Sequence, residues 1–185
     1  TETITHVAVK SINTGLWLRS ATEQDQSLEA EPFDHAQDKL RRSFVAMPHV
    51  HFSTDNRGCL IINAPNVSDE PVVTNDLINL ISATEFELLG RYDNIINSGG
   101  IKLVPEQIEA KLMPIIVNRF FVAGMPDDQL GQKLVLLIEG NVDSENLHTK
   151  IKSLKALQKF EVPREILQVP TFMETSNGKL LRSDT

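Results

Sequence analysis

The chain has 185 residues, enough for one sizeable domain or two small ones, and its 41% hydrophobic content can supply a core. Its formal charge of −7 argues against nucleic acid or an anionic membrane surface as the main partner. The single cysteine, Cys59, excludes an internal disulfide and a cysteine-rich metal site and favours a reducing compartment, so we expect a cytoplasmic protein. No apolar run approaches the roughly 20 residues that a bilayer span needs.

The first half of the chain predicts mainly strands. Alternating apolar residues indicate a strand at 6–12, and the acid-rich segment 21–39 is typical of an exposed loop or short helix. His49 and His51 are expected on one face of a strand, where two histidines without a third ligand are interpreted as structural. Residues 55–58, Asp-Asn-Arg-Gly, predict a hairpin turn.

In the next segment, 71–81, Asp76 ends the stretch that begins at Val72, and the apolar run 77–81 follows it. Asp76 has two interpretations at this point. An aspartate that ends an apolar strand can cap the following turn, or its two carboxylate oxygens can bind a ligand.

Residues 90–109, GRYDNIINSGGIKLVPEQIE, predict a hairpin that leads into a helix. The turn is expected at Gly99-Gly100, because glycine tolerates positive φ without a steric penalty. Pro105 suits the first position of the helix. An Arg-x-Asp elbow, Arg91 and Asp93, precedes the hairpin; on local grounds alone such an elbow is more often a surface turn than a site.

The C-terminal part predicts alternating strands and helices, typical of a small α+β domain with helices packed on a sheet. The expected elements are strands at 119–123, 132–139 and 166–169, a turn at 125–128, and a helix at 143–159 that stops before Pro163. The lysines of the latter helix are interpreted as a solvated face. A further turn at Asn177-Gly178 is expected to point Lys179 outward.

The stretch 90–109 resembles the hinge-and-hairpin signature of the acyl-adenylate-forming enzymes, the superfamily of acyl-CoA synthetases, peptide-synthetase adenylation domains and firefly luciferase. That pattern reads G-R-x-D-x-x-I-K-x-x-G-x-x-V-x-P-x-E-I-E. The residues that fall on it are Gly90, Arg91, Asp93, Ile96, Pro105, Ile108 and Glu109. The glycine pair Gly99-Gly100 covers its second glycine, and Val104 stands one residue after its valine. Asn97 replaces the usual lysine and Gln107 replaces a glutamate. So many matches in twenty residues are far more specific than a lone glycine motif.

Three other stretches are similar to motifs of the same family. Thr1-Glu2 resembles the end of Y-G-x-T-E, and 74–76 resembles T-G-D with Asn75 in place of the glycine. The tail resembles T-x-x-G-K-x-x-R through Thr175, Gly178, Lys179 and Arg182.

The resemblance implies roles in nucleotide binding. Thr1 would contact the adenylate phosphate, and Glu2 would hold magnesium, a hard cation that prefers oxygen ligands. Asp76 would accept hydrogen bonds from both ribose hydroxyls, and Arg91 would help to fix the ribose.

The resemblance also implies a catalytic residue and a moving part. Lys179 would be catalytic, reaching the α-phosphate and the attacking carboxylate. Asp93 would be the hinge. Rotation at this residue would withdraw the lysine loop from the active site and bring the glycine hairpin to it. Gly99 and Gly100 would then line the pantetheine channel, and Lys102 would touch a phosphate of AMP or CoA.

The implied fold class is α+β, with two parts. Residues 1–91 would be the β-rich C-terminal part of the large AMP-binding domain, and 92–185 a small mobile lid. The implied activity is ligation of a small carboxylic acid to CoA with ATP and magnesium, through an acyl-adenylate. The sequence shows no Ser/Thr/Gly-rich loop for the β- and γ-phosphates and begins with threonine, so we expect a C-terminal portion that is inactive alone.

Within the family, the run 74–109 resembles in particular the bacterial O-succinylbenzoate–CoA ligases of menaquinone synthesis. Two alternatives remain within the family: another acyl- or aryl-CoA ligase, and a carrier-loading adenylation domain. Outside the enzyme class, the alternative is a nucleotide-binding or interaction module. A natural start codon directly before Thr1 would support that module, and an upstream phosphate loop would exclude it.

Overall fold

The structure is a computed structural model that describes residues 8–10, 43–175, 180 and 182. It divides into two compact units, Thr1–Leu88 and Leu89–Thr185. No helix found among the described residues combines the length and apolar character needed to cross a membrane.

The first unit is built on a six-stranded sheet with the order β1-β2-β6-β5-β4-β3. Its strands are β1 (Ala8–Lys10), β2 (Ser43–Ala46), β3 (His51–Thr54), β4 (Cys59–Asn63), β5 (Val72–Ser82) and β6 (Glu85–Arg91). Three aromatic rings form the centre of its core, because Phe86 stacks on Phe44 at 5.2 Å and meets the edge of Phe52 at 4.8 Å. Offset and edge-to-face pairs of this kind add to the free energy of burial.

The predicted hairpin at 55–58 is confirmed, since β3 and β4 pair antiparallel on either side of it. Gly58 has φ 79°, the left-handed conformation that the turn requires. The prediction for His49 is wrong. It has φ 67° in a turn before β3, closed by the hydrogen bond from the Val50 N–H to the Met47 carbonyl, so it does not share a strand face with His51.

The second unit carries a five-stranded sheet in the order β11-β10-β7-β8, with β9 also paired to β10. Its elements are β7 (Ile96–Ser98), β8 (Ile101–Leu103), α1 (Pro105–Leu112), β9 (Phe120–Asp127), β10 (Gly131–Glu139), α2 (Ser144–Ser153) and β11 (Glu165–Val169). β10 pairs parallel with β11 and antiparallel with β7 and β9. One hydrophobic cluster joins β10 to both helices through Leu136, Ile108 and Ile151.

Two predicted boundaries in this unit are wrong. The helix expected at 143–159 ends at Ser153, and Leu154 and Leu157 pack against the core from the turn that follows. The turn expected at 125–128 begins later, because β9 runs to Asp127. The Asp127 carboxylate accepts the N–H groups of Leu130 and Gln129, and these hydrogen bonds hold its pKa below the usual value.

A partly buried ion pair ties α1 to the segment before β11. Lys111 Nζ lies 2.6 and 2.7 Å from the two carboxylate oxygens of Glu161, whose side chain is 10% exposed. Glu161 also accepts the N–H of Gln158 at 2.8 Å, which caps a 3-10 turn at Lys159–Glu161. The carboxylate therefore holds this turn against the helix.

Replacing Lys111 with methionine is expected to destabilise the second unit by about 3 kcal/mol, because it leaves a buried carboxylate unpaired. The double variant K111M/E161Q should recover most of that loss. Lys133→Met is the matched control: its partner at 2.6 Å is Glu165, whose side chain is 47% exposed, and a pair with so exposed a carboxylate contributes about 0–1 kcal/mol. Amide hydrogen exchange of β10 in urea measures the effect. Equal losses for K111M and K133M would contradict the prediction.

Candidate functional site

The Arg-x-Asp elbow is a 3-10 turn, Tyr92–Asn94, between β6 and β7. Arg91 precedes it in extended conformation, and the Arg91 and Asp93 side chains face each other at 3.9 Å with 51% and 58% exposure. Asp93 thus lies at an exposed junction between two strands and not inside either. A junction of this kind suits a hinge, since it absorbs a backbone change without opening a core.

Gly90 and Glu106 explain how the elbow is held to helix α1. Asn94 Nδ2 donates a hydrogen bond to Glu106 Oε1 at the start of that helix. A Cβ at Gly90 would lie 2.6 Å from Val104 Cγ1 and would also collide with the Glu106 carboxylate. Only glycine allows this approach, which gives a physical reason for the first residue of the motif.

The glycine hairpin is formed as predicted. Ile96–Ser98 and Ile101–Leu103 pair antiparallel, and Gly99 and Gly100 join them with φ 57° and 82°. Two successive left-handed residues form the two-residue turn that matches strand twist. The Gly99 N–H donates to the Leu130 carbonyl at 2.9 Å, whereas a Cβ at Gly100 would have no atom of the described residues within 4 Å. Gly100 is thus the open tip of this arm, and Lys102 lies exposed on β8 opposite Asn97.

A cavity of about 510 Å³ opens beside the hairpin, with Ser98 and Gly99 in its wall. The cationic and titratable lining residues are His148, Lys152, Lys159 and Arg164, and none of the lining residues that the structure describes is a carboxylate. Phe160 and Leu134 add apolar surface. Clustered cations next to an aromatic ring suit a phosphate-bearing nucleotide.

Sequence reasoning missed this cavity. It assigned the lysines of 143–159 to a solvated helix face, but Lys159 lies beyond the end of α2 in the 3-10 turn. The cavity is assembled from the hairpin, α2, that turn and the segment 162–164 before β11, and nothing in the local sequence brings these together.

Asp76 lies in the first unit, within β5. Because β5 continues to Ser82, the interpretation of Asp76 as the cap of a turn that ends the strand is wrong. The pairing with β4 shifts at this point: Cys59 pairs with Leu77, but Ile61 pairs with Val73. Bulges of this kind redirect side chains and are frequent next to active sites.

The last residue of the tail motif, Arg182, is anchored in the second unit. Its guanidinium donates to both oxygens of Glu109 at 2.7 and 2.9 Å and lies 5.4 Å from the centre of the Phe121 ring. Burial lowers the pKa of Arg182, but the hydrogen bond and charge of Glu109 outweigh it, and the net pKa is raised. Glu109 also accepts the Val122 N–H at 2.8 Å. The two motifs thus meet through their final residues.

Of the predicted site residues, the second unit contains the elbow pair and the hairpin with Lys102, and the first unit contains Asp76. Thr1, Glu2 and Lys179 lie outside the described residues, as does segment 21–39.

The homologues and structural neighbours of this chain are acyl-CoA ligases of the AMP-forming superfamily, which it matches over part of their length. The resemblance and the expected α+β fold are thereby confirmed. No protein-family model matches the chain.

Two curated relatives and one solved structure illustrate the match. The chain is 29% identical over 116 residues to the uncharacterized acyl–CoA ligase YhfT of Bacillus subtilis, covering 62% of this chain and 24% of that protein. It is 32% identical over 99 residues to the 2-succinylbenzoate–CoA ligase of Lactococcus lactis, covering 52% and 21%. The chain therefore spans about a quarter of the length of these relatives or less.

The solved structure is the o-succinylbenzoate CoA synthetase (MenE) of Bacillus subtilis in complex with the acyl-adenylate intermediate OSB-AMP. It matches with a TM-score of 0.66 and 19% identity, over 75% of this chain and 34% of that one. At this identity the likeness shows the fold.

Proposed function

We propose that this chain is the C-terminal part of an AMP-forming carboxylate–CoA ligase: the end of the large domain, 1–91, and the mobile lid, 92–185. The observation that carries the proposal is the glycine hairpin beside a basic cavity in one compact unit. Coenzyme A has a thiol at the end of a narrow arm and several phosphates on an adenosine. A bare glycine turn leaves room for the arm, and the cavity offers cations and a ring for the nucleotide.

The reaction has two half-reactions. A carboxylate oxygen attacks the α-phosphorus of ATP and pyrophosphate leaves, giving the acyl-adenylate. The CoA thiol then attacks the acyl carbon, loses its proton and releases AMP. Lys179 supplies positive charge in the first step, while Asp76 and Arg91 hold the ribose and reduce the entropy lost on alignment. Glu2 would hold the magnesium ion that accompanies ATP.

The acid we propose is o-succinylbenzoate. The support is the similarity to the Lactococcus lactis ligase and the resemblance of the run 74–109. A second candidate is another acyl- or aryl-CoA ligase, because the relative YhfT carries only the general description acyl–CoA ligase.

The test is thioester formation by the ligase that contains this chain, with a panel of carboxylic acids, ATP, magnesium and CoA, analysed by mass spectrometry. We expect o-succinylbenzoyl-CoA together with AMP and pyrophosphate. A different preferred acid would support the second candidate. Thioester formation on a carrier-protein phosphopantetheine arm but not on free CoA would contradict the proposal.

The 185-residue chain alone is expected to give no ATP–pyrophosphate exchange. Measurable exchange by the purified chain would contradict its assignment as a partial ligase.

A further inference from the structure

The bulge of β5, residues 74–76, is fixed from inside the sheet. Three residues, Thr74, Asn75 and Asp76, stand opposite Leu60 of β4, where the register shifts. The Thr74 hydroxyl donates to the Leu60 carbonyl at 2.9 Å and accepts the Asp76 N–H at 3.1 Å. Thr74 therefore sets the backbone at Asp76.

The bulge is also held from outside by a residue that belongs to no motif. Arg57, in the turn between β3 and β4, donates from one terminal nitrogen to Asn75 Oδ1 at 3.0 Å. Its other terminal nitrogen lies 3.3 Å from the Thr74 carbonyl oxygen. Both contacts fall on the two residues directly before Asp76. A planar guanidinium fork that engages two acceptors limits rotation as well as translation of the segment.

Asp55 orients Arg57 for these contacts. Asp55 Oδ2 accepts Arg57 Nε at 2.8 Å, while Oδ1 accepts the N–H groups of Cys59 at 2.9 Å and Arg57 at 2.8 Å. The Cys59 N–H, aided by Arg57, lowers the pKa of Asp55, so this carboxylate stays ionised at neutral pH. The turn is further joined to β5 by the hydrogen bond from the Ile78 N–H to the Gly58 carbonyl.

Asn75 is the position at which the chain departs from the T-G-D pattern. A glycine there has no side chain for Arg57 to bind, whereas the asparagine amide oxygen accepts a hydrogen bond from Arg57 at 3.0 Å. Asn75, the residue that departs from the pattern, is therefore hydrogen-bonded to Arg57.

We infer that Arg57 is a positioning residue for ribose recognition: through Asn75 and Thr74 it holds the bulge that presents the Asp76 carboxylate to the nucleotide. The inference rests on the ribose role proposed for Asp76. A carboxylate that binds two hydroxyls needs a fixed direction, and small displacements of such a group weaken its hydrogen bonds.

The experiment compares ATP with 2′-deoxy-ATP in adenylate formation by the ligase that contains this chain. The readout is the ratio of the two kcat/KM values, which loss of stability alone does not move. We expect the wild type to prefer ATP and Asp76→Asn to lose most of that preference. Arg57→Met should reduce the ratio about tenfold, mainly by lowering kcat/KM for ATP. Arg57→Lys should reduce the ratio less.

Asn75→Ala is the second variant, because it removes one acceptor of Arg57 and leaves the Asp55–Arg57 pair in place. It should also lower the ratio. His51→Gln, an exposed change in β3, is the control that should leave the ratio unchanged. An unchanged ratio in both R57M and N75A, with a reduced ratio in D76N, would overturn the inference. No loss of preference in D76N would instead overturn the ribose role of Asp76, and the inference with it.

Discussion

Replacing Lys179 with alanine is expected to slow acyl-adenylate formation about 100-fold or more in the ligase that contains this chain. Negative charge builds up at the α-phosphate as the carboxylate attacks, and in a closed site water does not replace the missing ammonium. The second half-reaction starts from an adenylate already formed, so it should fall less than about threefold. ATP–pyrophosphate exchange measures the first step, and thioester formation from supplied acyl-adenylate measures the second.

The described residues on either side of Lys179 are held by contacts that this substitution does not remove. Glu174 pairs with Leu180 in an antiparallel bridge, and Arg182 is held by Glu109. Lys155→Ala, at an exposed position after α2, is the matched control and should leave both steps unchanged. An equal loss of both half-reactions in K179A would contradict the assignment of the lysine to the first step alone.

The hinge region could be predicted from the sequence because its signals act over a few residues. A glycine pair permits the left-handed turn between β7 and β8, and Pro105 starts α1 with its fixed φ. Each of these preferences agrees with the packing of Ile108 and Leu112 in the core. Where local preference and tertiary packing agree, reasoning from sequence succeeds.

The basic cavity could not be predicted because it depends on where α2 ends. Leu154 and Leu157 keep the spacing of a helix, but they reach the core from a turn, and the chain then changes direction at the 3-10 turn that Glu161 holds. Apolar periodicity shows which residues can pack in the core, but it does not show whether a helix or a turn brings them there.

The β5 bulge was hidden for a related reason. An alternating pattern within one strand does not show where that strand has more residues than the strand it pairs with. The sequence therefore suggested that the strand ends at Asp76. The contact of Arg57 with Asn75 joins residues 18 positions apart, through a register that only the paired strands define.

Gly100→Ala is expected to slow the second half-reaction and spare the first, the reverse of the effect expected for Lys179→Ala. Thioester formation should fall about tenfold or more, while adenylate formation stays within about threefold. A Cβ at Gly100 meets no atom of the described part of the chain within 4 Å, so the added methyl occupies the open space at the hairpin tip, where we place the pantetheine arm.

The backbone of Gly100 adds a second effect that a control must separate. Its φ of 82° disfavours any side chain, at a cost of about 1–2 kcal/mol. Gly140 has φ 85° and lies just beyond the C-terminal end of β10, whereas the hairpin pairs with the N-terminal end of that strand. A Cβ at Gly140 would meet Asn118 Nδ2 at 3.5 Å, an ordinary van der Waals distance. Gly140→Ala therefore introduces similar strain without touching the arm. If both variants lose stability equally but only G100A slows thioester formation, the open tip acts in the thiol step; equal slowing by both would leave strain as the sole cause and contradict the role of the hairpin.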